Sequence, residues 1–284
     1  MSPDDEADAL MNVNPSCGIP ERIVPGRTDR AETADHMARY DFAATRAHGA
    51  TLDLGSGVGY GASQIATMQS VDLVIAFDIS SDALAFAKGS YGETISFVTG
   101  DAGKLPFSED SIDSIVCLEA IEHVPDANSV LEEMARVLRP EGLLVISTPN
   151  KWATSPLSRR PLNPYHVREW YPGRFKKLVS RYFVVEEVLG QSWHSVGFTW
   201  RGLRWRMRSR TKAVLTHLGL LGIAQKLRRS ERRRGARQHP RKVPSTIDVP
   251  TQEEVLAAWP KSWTSSKTQG IPVTVILVAR PLRT

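Results

Sequence analysis

The chain has 284 residues, of which 41% are hydrophobic, so it is long enough for one large core with an elaboration. Its two cysteines, Cys17 and Cys117, are far apart, which argues against a disulfide framework and against a zinc site built from thiolates. The acidic start and the lack of an apolar run of about 18 residues argue against a secretory signal and a membrane-spanning helix, so we expect a cytoplasmic location. The formal net charge of +5 conceals one strongly basic segment.

The first half of the chain alternates between short apolar runs and helical patterns. Residues 1–28 contain four prolines and several acids, and we interpret them as a mobile N-terminal arm. A helix is predicted over residues 29–48. The elements predicted next are strands at 50–54, 72–77, 94–98, 112–117 and 142–148, and helices at 60–69, 81–89 and 127–138. This spacing indicates βαβ units, and therefore an α/β fold with a doubly wound, mostly parallel sheet.

The second half of the chain completes this core around a long insertion. A helix near 170–180 and a strand at 182–189 continue the series, and a strand at 273–279 closes it. Residues 29–190 and 271–284 are therefore predicted to form the core. Residues 191–270 are predicted to be an inserted substrate cap, because the gap is far longer than an ordinary connection.

A glycine-rich turn follows the first predicted strand, in the run LDLGSGVGYG at residues 52–61. Gly55 and Gly57 allow a ligand to approach the backbone at the carboxyl end of that strand. Asp78 ends the second strand, where a carboxylate can accept two hydrogen bonds from a ribose diol. Asp101 follows the third strand and can accept from an adenine amino group. The turn alone also fits a dinucleotide site or a tight strand–helix connection.

These runs, together with FDIS, GDAGKLPF, DSIVCLEAIEHVPD and RVLRPEGLLVISTPN, resemble the class I S-adenosylmethionine-dependent methyltransferases. The resemblance covers residues 40–150. It implies that Gly55 and Gly57 line the methionine part of S-adenosylmethionine and that Asp53 holds its amino group, directly or through water. Asp78 would bind the ribose, and Asp101 and Ala102 the adenine. An alternative for Asp53 is a carboxylate that only stabilises the turn.

Methyl transfer to an alcohol also requires a base or a metal, because a neutral hydroxyl is a poor nucleophile. Glu119, Glu122 and His123 follow the fourth strand, and on one helical turn they would lie near one another. His166 comes later, in the run NPYHVREW. Carboxylates and imidazoles in this number suit a hard or borderline divalent ion.

The Glu-x-x-Glu-His run with a later histidine resembles the plant small-RNA 2′-O-methyltransferases, and its first part resembles the ubiquinone-pathway O-methyltransferases. The resemblance implies that Glu119, Glu122, His123 and His166 bind Mg²⁺ or Mn²⁺ beside a vicinal diol. The run Glu-His-Val-Pro-Asp also occurs in class I members without a metal. In that case His123 or His166 is the leading catalytic base, with Glu119 beside it.

The basic segment lies inside the insertion, where residues 201–242 hold 15 Lys and Arg residues and one acid, Glu231. An amphipathic helix is indicated by apolar residues at helical spacing, namely Val214, Leu218, Leu221 and Ala224. Three interpretations remain open. The segment could contact an anionic membrane surface, bind nucleic acid, or be a solvated flank of the acceptor cap. Nucleic acid is the least favoured partner.

The wider outline resembles bacterial methyltransferases of glycan and glycolipid assembly, through ERIVPG at 21–26, Ala38-Arg39-Tyr40 and NPYHVREW. We therefore predict O-methylation of a saccharide hydroxyl on a glycan or glycolipid. The alternatives are a lipid or quinone-like phenol at the inner face of the membrane, and an RNA ribose 2′-hydroxyl. A protein that binds the cofactor only as a sensor is the non-enzymatic alternative.

Overall fold

The computed structural model describes residues 22–25, 28–92, 94–191, 261–262 and 272–282. The predicted cap and its basic helix therefore lie almost entirely outside the described residues, as does most of the predicted arm. At the end of that arm Val24 is buried, and its backbone N–H donates to the Thr28 hydroxyl at 2.8 Å. No helix of the described ranges is long and apolar enough to cross a bilayer.

The described residues form eight strands, six α-helices and one 3₁₀ turn. The strands are β1 Gly49–Leu54, β2 Val71–Asp78, β3 Ile95–Thr99, β4 Ile112–Cys117, β5 Leu138–Pro149, β6 Phe183–Gln191, β7 Lys261–Ser262 and β8 Thr274–Pro281. The helices are α1 Arg30–Ala44, α2 Tyr60–Ile65, α3 Ser81–Tyr91, α4 Ala127–Val137, α5 Lys151–Thr154 and α6 Pro172–Val179. The 3₁₀ turn is Ile121–His123.

All eight strands join one sheet in the order β3-β2-β1-β4-β5-β8-β6-β7. The pairs β1/β2, β1/β4, β2/β3 and β4/β5 are parallel, whereas β8 is antiparallel to both of its neighbours. The strand order reverses between β1 and β4, and ligands of open α/β sheets bind outside the carboxyl ends of the strands at such a point. The predicted doubly wound, mostly parallel sheet is confirmed.

Several helices begin where a side chain satisfies the first backbone N–H groups. Asp29 accepts from the N–H groups of the first turn of α1, Ser80 does so for α3, and Asp126 for α4. Helix α2 is shorter than predicted and ends at Ile65. Beyond it, Ser70 donates to the carbonyl of Ala47 at 2.8 Å, which draws the chain into β2.

The sheet is covered on both faces, as a parallel sheet requires. One core cluster joins the sheet to α4 and α6 through large buried side chains, among them Leu131, Met134 and Phe175. The other joins it to α1, α2 and α3, with Phe42 and Ile65 among its members. These two layers hold the carboxyl ends of β1, β2 and β4 at one rigid edge, where the predicted site residues lie.

Candidate active site

The glycine turn after β1 has the backbone conformation that glycine permits and other residues strain. Gly55, Gly57 and Gly59 have φ values of 81°, 55° and 83°. A Cβ at Gly55 would lie 2.6 Å from the Cβ of Ala120, so no side chain fits there. At Gly57, a Cβ would meet no atom within 4 Å. Gly57 therefore borders an open space that a ligand can occupy.

Asp53 lies directly behind this turn and is fully buried. The Tyr40 hydroxyl donates to its carboxylate at 3.1 Å and 3.4 Å. Burial raises the pKa of Asp53 to about 7, the hydrogen bond from Tyr40 lowers it by less, and the charge of Asp78 raises it further. Asp53 is therefore poised to become ionised when a cation, such as an ammonium group, binds beside it.

An aromatic and polar cluster supports Asp53, and the sequence analysis did not assign it a role. The ring centroids of Tyr40 and Tyr60 are 5.6 Å apart, and that of His36 is 5.6 Å from Tyr40 and 5.9 Å from Tyr60. Tyr60 is hydrogen-bonded to His36 through its hydroxyl. Burial, with a smaller effect of Arg39, holds the pKa of His36 well below its usual range. The ring is therefore neutral and serves to position the tyrosines.

Asp78 is held at the carboxyl end of β2 beside the glycine turn. One carboxylate oxygen accepts the backbone N–H of Gly57 at 2.9 Å, and the other accepts that of Ser80 at 2.8 Å. A guanidinium nitrogen of Arg22 lies 3.8 Å from the same carboxylate. Asp78 and Gly57 are thus adjacent, which is the arrangement that their predicted roles require.

Asp101 and Ala102 follow β3 at the same edge of the sheet. The backbone N–H of Gly100 donates to the carbonyl of Asp78 at 3.1 Å, which ties the two strand ends together. Asp101 is exposed and accepts the N–H of Gly103 at 2.8 Å, while Ala102 is half-buried and packs against the core. The predicted ribose and adenine residues therefore lie on neighbouring strand ends.

On the other side of the glycine turn, Glu122, His123 and His166 converge. One possible ligand atom from each lies within 4.8 Å of the others. The His123 and His166 rings meet edge to face, with centroids 5.1 Å apart. The distant histidine is brought in by backbone contacts, because Val167 and Arg168 donate their N–H groups to the carbonyl of Glu122 at 2.9 Å and 3.1 Å.

Glu119 is not part of this group, and the prediction that it shares a helical turn with the other two residues is wrong. Its φ is 51°, so the chain bends at Glu119 before the 3₁₀ turn begins at Ile121. Its carboxylate accepts the Ser147 hydroxyl at 2.6 Å, and its backbone N–H donates to the same oxygen at 3.2 Å. The predicted four-residue ligand set is reduced to Glu122, His123 and His166.

Glu122 is a buried carboxyl group with too few hydrogen-bond donors around it to stabilise its ionised form. The Thr148 hydroxyl donates to one of its oxygens at 3.3 Å. The other oxygen is buried with no hydrogen-bond partner among the described residues. Burial, and then the neighbouring Glu119, raise the pKa of Glu122 well above its usual range. An orphaned carboxylate oxygen beside two imidazoles fits a divalent cation, which would stabilise the ionised form.

The hydrogen bonds of the two histidines fix their tautomers. His123 Nδ1 lies 3.1 Å from the carbonyl oxygen of Tyr165, which can only accept, so Nδ1 carries the proton and Nε2 the lone pair. His166 Nδ1 lies 2.7 Å from Glu169, and its Nε2 accepts from the Asn163 amide at 2.9 Å. His166 is therefore a neutral ring with its lone pair on Nε2, and the neutral form of His123 is the same tautomer.

Glu169 is a site residue that the sequence analysis missed. It is buried, and both the Thr154 hydroxyl, at 2.7 Å, and the Ser155 hydroxyl donate to its second oxygen. Burial alone would raise the pKa of Glu169, but the hydrogen bonds from His166 and these hydroxyls outweigh it and hold the pKa below its usual range. The signal for it was an acid three residues after His166, on the same loop.

Comparisons with known proteins bear on the fold and the family of the chain. Residues 52–146 match a family model described as a methyltransferase domain. The probable S-adenosylmethionine-dependent methyltransferase of Mycolicibacterium smegmatis is 34% identical over 189 residues, which are 66% of this chain and 72% of that protein. A probable S-adenosylmethionine-dependent methyltransferase of Mycobacterium tuberculosis is 39% identical over 118 residues, only 42% of either chain. The solved structure of YcgJ from Bacillus subtilis is 21% identical with a TM-score of 0.52, and the alignment covers 89% of this chain and 99% of that one.

Proposed function

The chain belongs to the class I S-adenosylmethionine-dependent methyltransferases, and we propose that it transfers the methyl group to a saccharide hydroxyl. The observation that carries the proposal is the convergence of Glu122, His123 and His166. The first two of these follow closely after Ala120, which packs against Gly55 of the glycine turn. S-adenosylmethionine supplies an electrophilic methyl group, so the protein has to bind the acceptor in line and remove its proton. An imidazole and a buried carboxyl are suited to that task.

Along the edge of the sheet, different residues bind different parts of the cofactor. Asp53 binds the cationic amino group, with Tyr40 holding the carboxylate in place. Asp78 accepts from the ribose hydroxyls, and Asp101 accepts from the adenine amino group. The open space at Gly57 admits the ligand. These roles place the acceptor on the side of the turn where His123 lies.

His123 is the proposed proton acceptor. When its Nδ1–H donates to the Tyr165 carbonyl, the neutral ring has its lone pair on Nε2, the atom that would take the hydroxyl proton. The acceptor oxygen then forms its bond to the methyl carbon as the carbon–sulfur bond breaks. Glu169 keeps His166 in the same tautomer, and Thr148 orients Glu122. His123 is thus the ring proposed to act on the acceptor, since His166 Nε2 accepts from the Asn163 amide.

A divalent ion such as Mg²⁺ or Mn²⁺ fits the same three residues. Glu122, His123 and His166 would hold it in place of the direct base role of His123, because a coordinated Nε2 has no lone pair left for a proton. The ion would then supply Lewis acidity that lowers the pKa of a bound hydroxyl. The orphaned oxygen of Glu122 and the carboxylate behind His166 support this role, because metal-binding histidines usually donate their other N–H to a carboxylate. Coordination by His166 Nε2 would require the Asn163 amide to rotate away.

A vicinal diol is the acceptor chemistry that suits this arrangement, since a metal can chelate two neighbouring oxygens. Sugars present such diols, and the wider sequence outline resembles glycan and glycolipid methyltransferases. The Tyr165 side chain, which is 39% exposed beside His166, offers an aromatic face against which a sugar ring can pack. The diol and the aromatic face also suit a catechol, and it is the sequence outline that favours a saccharide.

The test is a transfer assay with methyl-labelled S-adenosylmethionine and a panel of acceptors. The panel contains oligosaccharides and glycolipids with vicinal diols, the matching sugars with one hydroxyl removed, a catechol and an RNA. We expect label on the diol-bearing saccharides, reduced by a chelator and restored by Mg²⁺ or Mn²⁺. If label appeared only on the catechol or only on the RNA, that molecule and not a saccharide would be the acceptor. Binding of the cofactor without transfer to any member would favour a sensor.

A further inference from the structure

The segment that carries His166 is a closed loop with a well-defined base. We call residues 151–169, between β5 and α6, the acceptor loop. Asn150 and Trp170 form an isolated bridge at its base, and the N–H of Lys151 donates to the carbonyl of Trp170 at 3.0 Å. Its interior is held by Glu169, which binds His166, Thr154 and Ser155. The conformation of the loop is therefore fixed by hydrogen bonds at its base and in its interior.

The exposed turn of this loop around Leu157 is also fixed by contacts. The Tyr171 hydroxyl donates to the carbonyl of Pro156 at 2.9 Å, and the Trp152 ring lies against the Tyr171 ring with centroids 4.6 Å apart. Tyr171 thus connects Trp152 to the turn that presents Leu157. We define the loop tip as Trp152, Leu157, Arg159 and Arg160.

The loop tip exposes apolar and cationic side chains together. Leu157 is 97% exposed and Trp152 is 51% exposed, and Arg159 and Arg160 are both exposed. The one acidic side chain of the loop is Glu169, which is buried and bonded to His166, so no carboxylate of the loop neutralises these arginines at the surface. An exposed leucine and tryptophan together with two arginines suit a partner surface that has an apolar interior and an anionic face.

We propose that the loop tip docks on an anionic lipid surface. The apolar side chains of Leu157 and Trp152 enter the interfacial region, where tryptophan is favoured, and the two arginines contact the phosphate and carboxylate groups of the lipids. Such docking brings the loop that carries His166 to the membrane, where a glycolipid acceptor would be presented. Only this last consequence rests on the proposed function.

The first test is cosedimentation of the full chain with vesicles, without cofactor or acceptor. Vesicles of phosphatidylcholine with about 30% phosphatidylserine are compared with vesicles of phosphatidylcholine alone. We expect binding to the anionic vesicles that weakens about fivefold in Arg159→Gln, since one contact with an anionic surface is lost. Leu157→Ser should weaken it by about tenfold. The matched control is Lys88→Gln, an exposed cation on α3, which should leave binding within about twofold.

The second test reads the loop tip directly, because the basic insertion could bind vesicles by itself. An environment-sensitive dye is attached to Leu157→Cys in a Cys17→Ser background, where the remaining Cys117 is buried. The dye should shift to the blue and become shielded from an aqueous quencher only with anionic vesicles. A dye at Lys88→Cys should not respond.

Three outcomes would overturn the proposal. One is undiminished vesicle binding by Arg159→Gln and Leu157→Ser, which would assign the binding to another segment. The second is equal binding to neutral vesicles, and the third is a dye at position 157 that is already shielded without vesicles, which would mean that protein covers the tip. Because neither experiment involves turnover, failure here leaves the acceptor assay of the proposed function unaffected.

Discussion

Asp53 makes cofactor binding depend on pH in a way that can be calculated. Its carboxyl is fully buried, receives one hydroxyl donor from Tyr40, and has a pKa raised to about 7. If it binds the cationic amino group of the ligand, only the ionised form is competent. With that pKa, about one tenth of the molecules are competent at pH 6 and about nine tenths at pH 8. The affinity should therefore rise by roughly tenfold over that range, equivalent to about 1.4 kcal/mol.

The assay is calorimetric titration of S-adenosylhomocysteine between pH 5.5 and 8.5 in buffers of different ionisation enthalpy. Below pH 7, binding should release a proton from Asp53, and Asp53→Asn should bind more weakly with little pH dependence. The folded-state pKa is raised, so the stability that the protonated carboxyl contributes is present at low pH and lost as pH rises through about 7. Asp53→Asn should therefore melt above the wild type at pH 8. Equal pH trends in both proteins, with no proton release, would refute the assigned role.

Three further predictions follow from single contacts. Gly61→Ala should destabilise the fold by about 1–3 kcal/mol, because its Cβ would lie 2.1 Å from a buried tyrosine ring, whereas Gly89→Ala, with no atom within 4 Å, should be neutral or stabilising in thermal melts. Asp78→Ala should weaken S-adenosylhomocysteine binding by about 1–3 kcal/mol in calorimetry, and unchanged affinity would reject the ribose assignment. Glu169→Gln should slow transfer by about tenfold or more with unchanged cofactor affinity, and nitrogen NMR should detect a tautomer change in His166; an unaltered imidazole spectrum would refute the positioning role.

The sequence predicted the core well because its signals are local. The strand predicted over 112–117 matches β4, and Asp78 lies at the end of β2. Apolar runs of this length and the glycine turn leave few alternatives once βαβ units are recognised. The helix predicted over 60–69 failed at its end, since the contact of Ser70 with Ala47 is not visible in a pattern of apolar residues.

The acceptor side was harder to predict because its arrangement depends on backbone bends and distant contacts. Helical spacing placed Glu119 on one turn with Glu122, but a positive φ at Glu119 bends the chain before that turn, and the Glu119 carboxylate bonds Ser147. His166 was recognised from its motif, yet its orientation depends on the buried Glu169, whose partners lie 14 and 15 residues earlier at Ser155 and Thr154. Spacing rules apply within one element and do not describe a closed loop.

The most direct measurement compares turnover with cofactor affinity in His123→Ala, using the acceptor that the label-transfer assay identifies. The imidazole belongs to the cluster assigned to the acceptor, and its described contacts are with Tyr165, Glu122 and His166, so transfer should fall by about a hundredfold or more. The dissociation constant for S-adenosylhomocysteine should stay within about twofold of the wild type, since no cofactor contact is removed. A parallel loss of transfer and affinity, or transfer that survives the substitution, would contradict the assignment of this cluster to the acceptor.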